Sequence, residues 1–303
     1  MVSPHALILG GGRLGSSLRT LLLPQDPSVE IWDVNPARAT SVRPLSEDVP
    51  EANFLFLCVP SWVLPNVLSD VVPYLSPSAP VICFSKGIER ESGKTMDELL
   101  PSLLPPHQPF ALVGGPMLAE ELEQGLGGIG VVATRSPETF QKFSALFRGS
   151  CLALASTDDL RGVTLSGVAK NVYATAIGVV QGLGWGGNMT GWIGAQSSFE
   201  LIEIVERLGG RKETARGPAG LGDFFATAFS PYSNNRQAGV AWAQTGLCNQ
   251  KSEGVISFTF LSSLLEEAAD SLPVFYAMKR ILIGCEPMKK VFQELLYGKK
   301  ETL

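Results

Sequence analysis

The sequence predicts two domains: an α/β N-terminal domain on a doubly wound, mainly parallel sheet, and an all-α C-terminal domain. Short apolar runs alternate with helical segments in the first half, which is typical of βα units. After Ser156 the strand-like runs stop and helical patterns continue. A chain of 303 residues is also long for a single core. We therefore expect domains at residues 1–156 and 157–303, with the active site in a cleft between them.

A glycine-rich turn follows the first predicted strand, residues 6–9, and precedes a helix from Ser16. Gly-x-Gly-x-x-Gly between a strand and a helix is typical of dinucleotide binding in a Rossmann-type sheet. The first glycine permits the turn, the second lets a pyrophosphate approach the backbone, and the third lets helix and strand pack closely. The phosphates would lie at the helix N-terminus, which favours anions. The cofactor contacts predicted from this turn are Gly10, Gly12, Arg13, Leu14 and Gly15.

Asp33 ends the second predicted strand, residues 29–32, about 20 residues after the glycines. A carboxylate there can bind both hydroxyls of an adenosine ribose. It would repel a 2′-phosphate, so the sequence favours NAD over NADP as the cofactor. The opposing interpretation, ordinary loop glycines, leaves Asp33 unexplained.

Three further predicted strands, residues 54–59, 81–85 and 110–113, are each followed by candidate ligand-binding residues. In such sheets ligands bind beyond the carboxyl ends of the strands. Lys86 and Gly114–Pro116 fall at those ends. The other elements predicted in this half are helices at 62–75, 95–104, 117–124 and 137–147 and strands at 129–133 and 151–155.

The predicted helix at residues 163–183 is apolar nearly all round, as in a buried helix. Lys170 is the only charged residue between Arg161 and Glu200. A buried lysine is costly to desolvate, so it is usually present for its proton or its charge. The alternative is that its side chain extends to water. Small residues at Gly167, Ala174, Gly178 and Gly182 would allow a neighbouring helix to pack closely. Further helices are predicted at 190–208, 223–229, 236–244, 258–271, 274–283 and 287–296.

Composition excludes several classes of function. A net charge of −5 argues against non-specific nucleic-acid binding. The five cysteines are scattered and form no Cys/His cluster, so we expect neither a metal site nor a disulfide framework. No signal peptide or uninterrupted apolar run of bilayer length occurs. These features predict a cytoplasmic protein that binds a small molecule and no membrane.

Beyond the glycines, an ordered set of short motifs resembles the NAD(P)-dependent glycerol-3-phosphate dehydrogenases over nearly the whole chain. The motifs are Val-Pro-Ser at 59–61, Ser-Lys-Gly-Ile-Glu at 85–89, Gly-Pro-x-x-Ala-x-Glu-Leu at 115–122, Gly-Val-Ala-Lys-Asn-Val at 167–172, Gly-Leu-Gly-Asp at 220–223, Ser-x-Asn-Arg at 233–236 and Glu-Gly at 253–254.

The resemblance implies roles for individual residues. Lys170 would be the catalytic lysine, and the residues expected around the reacting carbon and its oxygens are Lys86, Asn171, Asp223 and Thr227. The substrate contacts implied are Lys86, Gly115, Lys170, Asp223, Ser233, Asn235 and Arg236. The cofactor would also meet Pro60, Lys86, Ala119, Asn234 and Glu253. A homodimer is implied too, with the last helices as candidates for the contact.

Each of these residues also has a structural interpretation. Lys86 could be a solvated turn residue, and Asp223 could cap the following helix. Asn171 could satisfy a backbone group in the core. Ser233 and Asn235 could be plain loop residues before a helix.

The chain departs from the family pattern where a phosphate would be held. Asn234 replaces the first arginine of Ser-Arg-Asn-Arg, and asparagine lacks the charge and the paired donors of arginine. Met117 replaces a threonine, Gln196 an arginine and Glu120 a lysine, and the first βα units are shorter.

Three functions remain open at this point. The first is hydride transfer between the nicotinamide cofactor and glycerol 3-phosphate or dihydroxyacetone phosphate, with Lys170 as proton donor and acceptor. The second keeps this chemistry on a related hydroxy acid or unphosphorylated polyol. The third is a dinucleotide-binding protein without catalysis.

Overall fold

The computed structural model describes residues 5–24, 28–249 and 252–298. These residues form two compact units, one ending at Thr164 and the other beginning at Leu165. The division after Ser156 stays a prediction about domain organisation.

The N-terminal unit is built on one sheet with seven strands in its described residues. The strands are β1 (Ala6–Leu9), β2 (Glu30–Trp32), β3 (Phe54–Leu57), β4 (Val81–Cys83), β5 (Phe110–Gly114), β6 (Gly128–Ala133) and β7 (Leu152–Thr157). Their order is β2-β1-β3-β4-β5-β6-β7, and only the β5–β6 pairing is antiparallel. The mainly parallel Rossmann-type sheet predicted from the sequence is confirmed.

Helices connect the strands and contribute to the core of this unit. They are α1 (Arg13–Leu22), α2 (Leu45–Glu51), α3 (Leu64–Val71), α4 (Met96–Leu103), α5 (Ala119–Glu123) and α6 (Pro137–Leu146). Phe56 of β3, Phe84 after β4 and Phe143 of α6 meet edge to face with ring centroids 5.6–6.2 Å apart. This geometry is favourable for aromatic pairs, and it fixes helix against sheet in the core.

In the described residues every element after β7 is helical, as predicted. The helices are α7 (Leu160–Gly182), α8 (Gly187–Arg207), α9 (Lys212–Arg216), α10 (Asp223–Phe229), α11 (Asn234–Thr245), α12 (Glu253–Leu265), α13 (Pro273–Leu282) and α14 (Met288–Tyr297). A short π-helical turn, Pro218–Gly222, precedes α10.

From Leu165 onward, helix α7 lies in the C-terminal unit, and most of its side chains are buried there. Among the described residues it alone is long and apolar enough to span a bilayer, but its most apolar stretch is wholly buried inside the protein. A Cβ on Gly178 would lie 2.1 Å from the backbone oxygen of Arg236, and one on Gly239 of α11 would lie 2.2 Å from that of Thr175. Because these distances are shorter than any real contact, only glycine allows α7 and α11 to pack backbone to backbone.

The first or last residues of several predicted helices were wrong, and one helix was missed. The helix predicted at 258–271 begins five residues earlier, at Glu253, because Ser252 caps it by accepting from the Val255 N–H. It ends at Leu265, where a 3-10 turn takes over. The predicted helix at 62–75 is a shorter α-helix between two 3-10 turns. The prediction also missed α2, which is short and polar and contains Pro50.

Candidate functional site

The glycine turn joins β1 to α1, and at two of its three motif glycines there is no room for a side chain. Gly10 has a φ of +109°, in the region that favours glycine. A Cβ on Gly15 would lie 2.0 Å from the Gly10 carbonyl oxygen. A Cβ on Gly12 would have no neighbour within 4 Å, and no side chain caps the helix that follows Gly12. The turn therefore leaves space and backbone N–H groups at a helix N-terminus, which suits the pyrophosphate of a dinucleotide.

The Asp33 carboxylate lies beside this turn. Its Oδ2 accepts from the Gly11 N–H at 2.7 Å, and its Oδ1 accepts from the Asn35 N–H at 2.8 Å. Two backbone donors fix the orientation of the carboxylate, and each oxygen retains lone pairs for further donors such as ribose hydroxyls. The arrangement fits the sequence-based expectation for a dinucleotide.

Helix α5 packs against α1 near the same turn. The buried Ser17 hydroxyl of α1 donates to the Ala119 carbonyl at 3.1 Å. Arg13 pairs with Glu120, the residue that replaces a family lysine. Arg13 and Ala119 are both candidate cofactor contacts. Helix α5 places Ala119 and the adjacent Glu120 near Arg13, at the N-terminus of α1.

The loops after β3, β4 and β5 lie at one edge of the sheet, because these strands are parallel. Pro60 is exposed, whereas Ser61 is buried and donates to the Ile88 carbonyl at 3.0 Å. Lys86 Nζ donates to the Gly115 carbonyl oxygen at 3.0 Å. The structure therefore brings together two of the predicted substrate contacts, Lys86 and Gly115. Lys86 is tied to the loop after β5, so the solvated-turn alternative does not describe it.

Glu89, which the sequence analysis did not select, closes the turn that follows it, three residues after Lys86. Its carboxyl group is buried, which would raise its pKa, but N–H groups of Glu91 and Ser92 and the Ser92 hydroxyl donate to it. The hydrogen bonds outweigh burial and the pKa of Glu89 is lowered. The Glu residue of the Ser-Lys-Gly-Ile-Glu motif is thus a structural anchor.

Lys170 is 7% exposed on α7, so it does not extend to water. Its Nζ donates to Asp223 Oδ1 and to Thr227 Oγ1, both at 2.8 Å. Asp223 and Thr227 lie one turn apart on α10 and thus share a face. Asp223 does not cap α10, because the N-cap residue is Gly222 and Asp223 directs its carboxylate to the lysine. The structure therefore places a carboxylate and a hydroxyl against the buried ammonium.

Asn171 belongs to a second network beside this pair. Its Oδ1 accepts from Asn235 Nδ2 at 2.9 Å, and its Nδ2 donates to Glu253 Oε2 at 3.5 Å. Asn235 Oδ1 accepts from the Gly254 N–H at 3.0 Å. Three predicted site residues from α7, α11 and α12 thus form one polar chain, instead of acting as isolated core or loop residues.

The N-terminus of α11 carries the other predicted substrate contacts. Ser233 caps the helix by accepting from the Arg236 N–H at 3.2 Å, so the structural interpretation holds for its hydroxyl. Asn234, in the place of the family arginine, is exposed at the first helical position. Arg236 donates to the Ser230 carbonyl at 3.0 Å and to Gln181 Oε1 at 2.7 Å. The side chain of Arg236 is therefore held by α7 and by the loop before α11.

Two other departures from the family pattern are structural here. Met117 is buried, and its sulfur would lie 3.3 Å from a Cβ on Gly130, so it packs against β6. Gln196 Nε2 donates to Glu200 Oε1 at 3.1 Å. Glu200 and its partner Tyr173 were missed from sequence, although Glu200 is the first charged residue after Lys170.

Among the described residues, no group of three or more His, Cys, Asp or Glu side chains could hold a metal ion. The polar side chains described above are lysines, amides, a hydroxyl and carboxylates, and the carboxylates bind the lysine or the amide groups. Such groups can orient a substrate and move a proton.

Comparison with known proteins gives the same family over both halves of the chain. Residues 40–139 match the N-terminal domain of NAD-dependent glycerol-3-phosphate dehydrogenase, and residues 159–293 match its C-terminal domain. A glycerol-3-phosphate dehydrogenase (NAD(P)+) of Methylobacterium radiotolerans is 30% identical, with 95% of each chain covered. One from Clostridium tetani is 28% identical over 97% of this chain and 92% of its own.

Solved structures show the same fold. The crystal structure of glycerol-3-phosphate dehydrogenase from Coxiella burnetii has a TM-score of 0.86 at 24% identity and covers 97% of this chain and 99% of its own. The two family domains and the similarity over nearly full length agree with the order of motifs read from the sequence. The chain belongs to the NAD-dependent glycerol-3-phosphate dehydrogenase family.

Proposed function

We propose that this protein is an NAD(P)-dependent dehydrogenase that interconverts glycerol 3-phosphate and dihydroxyacetone phosphate, with Lys170 as the proton donor and acceptor. The observation that carries the proposal is the Lys170–Asp223–Thr227 cluster, buried on α7 and α10. Family membership supports the substrate, because the relatives of similar sequence are named as glycerol-3-phosphate dehydrogenases.

The chemistry follows from the residues. A bound nicotinamide supplies or accepts the hydride, and the protein supplies position and charge. Reduction of a ketone leaves a developing alkoxide, which the Lys170 ammonium stabilises and protonates. Asp223 and Thr227 hold Nζ in place and offset the cost of burying its charge. Lys86 and the Asn171–Asn235–Glu253 network would orient the rest of the substrate and the cofactor.

The test combines turnover with binding. We expect NADH to be consumed when dihydroxyacetone phosphate is added. Lys170→Ala should lower kcat by about two to four orders of magnitude and leave NADH binding intact. Lys212→Ala is the matched control, because Lys212 is a half-buried lysine of the same unit, paired with Glu206 at 2.8 Å. Wild-type protein that binds NADH without turning over any carbonyl would contradict the proposal and favour a non-catalytic dinucleotide-binding protein.

For the cofactor we propose NAD in preference to NADP. Asp33 is oriented by the N–H groups of Gly11 and Asn35 where it would meet the adenosine ribose. Asp33→Asn keeps the shape and removes the charge, so it should lower the NAD/NADP ratio of kcat/KM by about tenfold. An unchanged ratio would remove Asp33 as the reason for the preference.

A second candidate function is reduction of an unphosphorylated hydroxy acid or polyol. Two observations favour it: Asn234 stands exposed in the place of an arginine, and the Arg236 guanidinium is bound to Ser230 and Gln181. An asparagine cannot offer a charged, bidentate contact to a phosphate.

Comparing substrates separates the two candidates. Dihydroxyacetone phosphate should give a higher kcat/KM than dihydroxyacetone or hydroxypyruvate if the first candidate is right. Asn234→Arg should then lower KM for the phosphorylated substrate by about tenfold. A clear preference of the wild type for an unphosphorylated carbonyl compound would establish the second candidate instead.

The remaining proposals concern the setting of the enzyme. We propose a cytoplasmic protein with a small-molecule substrate that acts as a homodimer through its last helices. Support for the contact comes from Tyr276, Ile283 and Tyr297, which are 40–70% exposed on and after α13 and on α14. Ile283→Glu should shift the sedimentation coefficient from that of a dimer to that of a monomer. An unchanged value would move the contact elsewhere.

A further inference from the structure

A buried carboxylate on α8 joins three helices of the C-terminal unit. Glu200 is 2% exposed. Its Oε2 accepts from the Tyr173 hydroxyl of α7 at 3.1 Å and from the Phe275 N–H of α13 at 2.9 Å. Its Oε1 accepts from the Val274 N–H at 2.7 Å and from Gln196 at 3.1 Å. Four donors therefore converge on one carboxylate.

An apolar side chain at this position would fill the space without the desolvation cost of a buried carboxylate. Burial raises the pKa of Glu200, and its four hydrogen bonds offset only part of that effect. The carboxylate can accept all four bonds at once, whereas an amide would place its own N–H groups against other donors. The geometry thus specifies an acceptor-only group, and the bond to Tyr173 fixes the rotation of a side chain on α7.

Tyr173 lies one turn after Lys170 on α7. Its ring is fully buried and meets Phe224 edge to face, with centroids 6.3 Å apart and an interplanar angle of 74°. Phe224 directly follows Asp223, which accepts from Lys170 Nζ at 2.8 Å. Helices α7 and α10 are therefore joined by two adjacent contacts, the aromatic pair and the ion pair. Rotation of the Tyr173 ring would shift Phe224 and, through the backbone, Asp223.

We propose that Glu200 is a positioning residue for the dehydrogenase reaction. By fixing the Tyr173 hydroxyl, it holds the Tyr173–Phe224 pair, which in turn keeps Asp223 in place on Lys170 Nζ. This inference rests on the proposed role of Lys170 in proton transfer. Glu200 touches neither Lys170 nor Asp223 in the contacts described, so its effect passes through Tyr173.

Tyr173→Phe is the sharpest test, because it keeps the buried ring and removes only the hydroxyl. A small displacement of a catalytic group can cost about two orders of magnitude in rate, so we expect kcat to fall by about 10- to 100-fold. The dissociation constant for NADH should stay unchanged. The solvent deuterium isotope effect on kcat should rise, because proton transfer from a displaced Lys170 becomes slower. Tyr74→Phe is the matched control, since Tyr74 is 43% exposed in the N-terminal unit.

The variants Glu200→Gln and Glu200→Gln/Tyr173→Phe test the route. If Glu200 acts through Tyr173, the double variant should have the same kcat as Glu200→Gln within about twofold. Multiplicative losses in kcat would overturn the route. A folded Tyr173→Phe variant with wild-type kcat and isotope effect would overturn the whole inference, provided that Lys170→Ala is inactive. If Lys170→Ala keeps wild-type activity, the proposed proton transfer fails instead.

Discussion

The turn after β1 and the cluster around Lys170 are built in opposite ways. The turn presents backbone N–H groups, and its shape depends on the absence of side chains at Gly10 and Gly15. The cluster consists of side chains from α7 and α10 that are 53 or more residues apart in sequence. In the turn, ligand binding should be sensitive to side-chain atoms added to a glycine. In the Lys170 cluster, stability should be sensitive to the loss of a charged partner.

The largest effect should come from breaking the buried ion pair. Asp223→Ala removes the carboxylate that pairs with the buried Lys170 ammonium, so we expect a loss of about 3–5 kcal/mol in the free energy of unfolding. Chemical denaturation measures it. Lys170→Met/Asp223→Leu removes both charges and should recover most of that stability without restoring activity. If the double variant stays as unstable as Asp223→Ala, charge burial is not the cause.

Adding one methyl group to the turn should affect cofactor binding and leave stability nearly unchanged. A Cβ on Gly12 meets no protein atom within 4 Å, so Gly12→Ala should leave the free energy of unfolding nearly unchanged. It should nevertheless weaken NADH binding by about tenfold, because the methyl group occupies the approach of the pyrophosphate. Fluorescence titration with NADH provides the measurement. Loss of stability with unchanged affinity would break the comparison.

A smaller effect should come from the cap of α11. Ser233→Ala removes the acceptor for the Arg236 N–H and should cost about 1 kcal/mol of unfolding free energy. Ser233→Asp keeps an acceptor and should retain most of the stability. Equal stability of the alanine and aspartate variants would show that Ser233 matters for something other than capping.

The smallest effect concerns pH. The pKa of Glu200 is raised above 4.5 by burial, so the folded state binds this proton more tightly than the unfolded state. The contribution of Glu200 to stability is therefore full below pH 4.5 and decreases as pH rises through the folded-state pKa. The difference in unfolding free energy between wild type and Glu200→Gln should decrease over that range.

The sequence predicted features that depend on neighbours in the chain. The strand, glycine turn and helix around Gly10 and the apolar helix around Lys170 were both visible as local patterns, and both exist. That Asp223 would lie near Lys170 was expected only through the family resemblance.

Features that depend on distant partners were not visible. Glu200 was not selected from the sequence, because nothing local indicates that Tyr173 and two N–H groups of α13 meet it. Arg236 was expected at the substrate, and only the structure shows that Gln181 and Ser230 accept from it. The partners in a buried polar network are far apart in the sequence, and their spacing follows neither the helical nor the strand period. The sequence alone therefore does not indicate that they meet.

The backbone contact between α7 and α11 has a consequence for how this enzyme can change by mutation. With no side-chain layer at Gly178 and Gly239, the distance between the two helices cannot be adjusted by exchanging one residue for a larger one. Asn171 on one helix and Asn235 on the other therefore keep a fixed separation in any functional variant. A directed-evolution library for new substrates should leave both glycines constant and vary Asn234, which is exposed and is a proposed ligand contact.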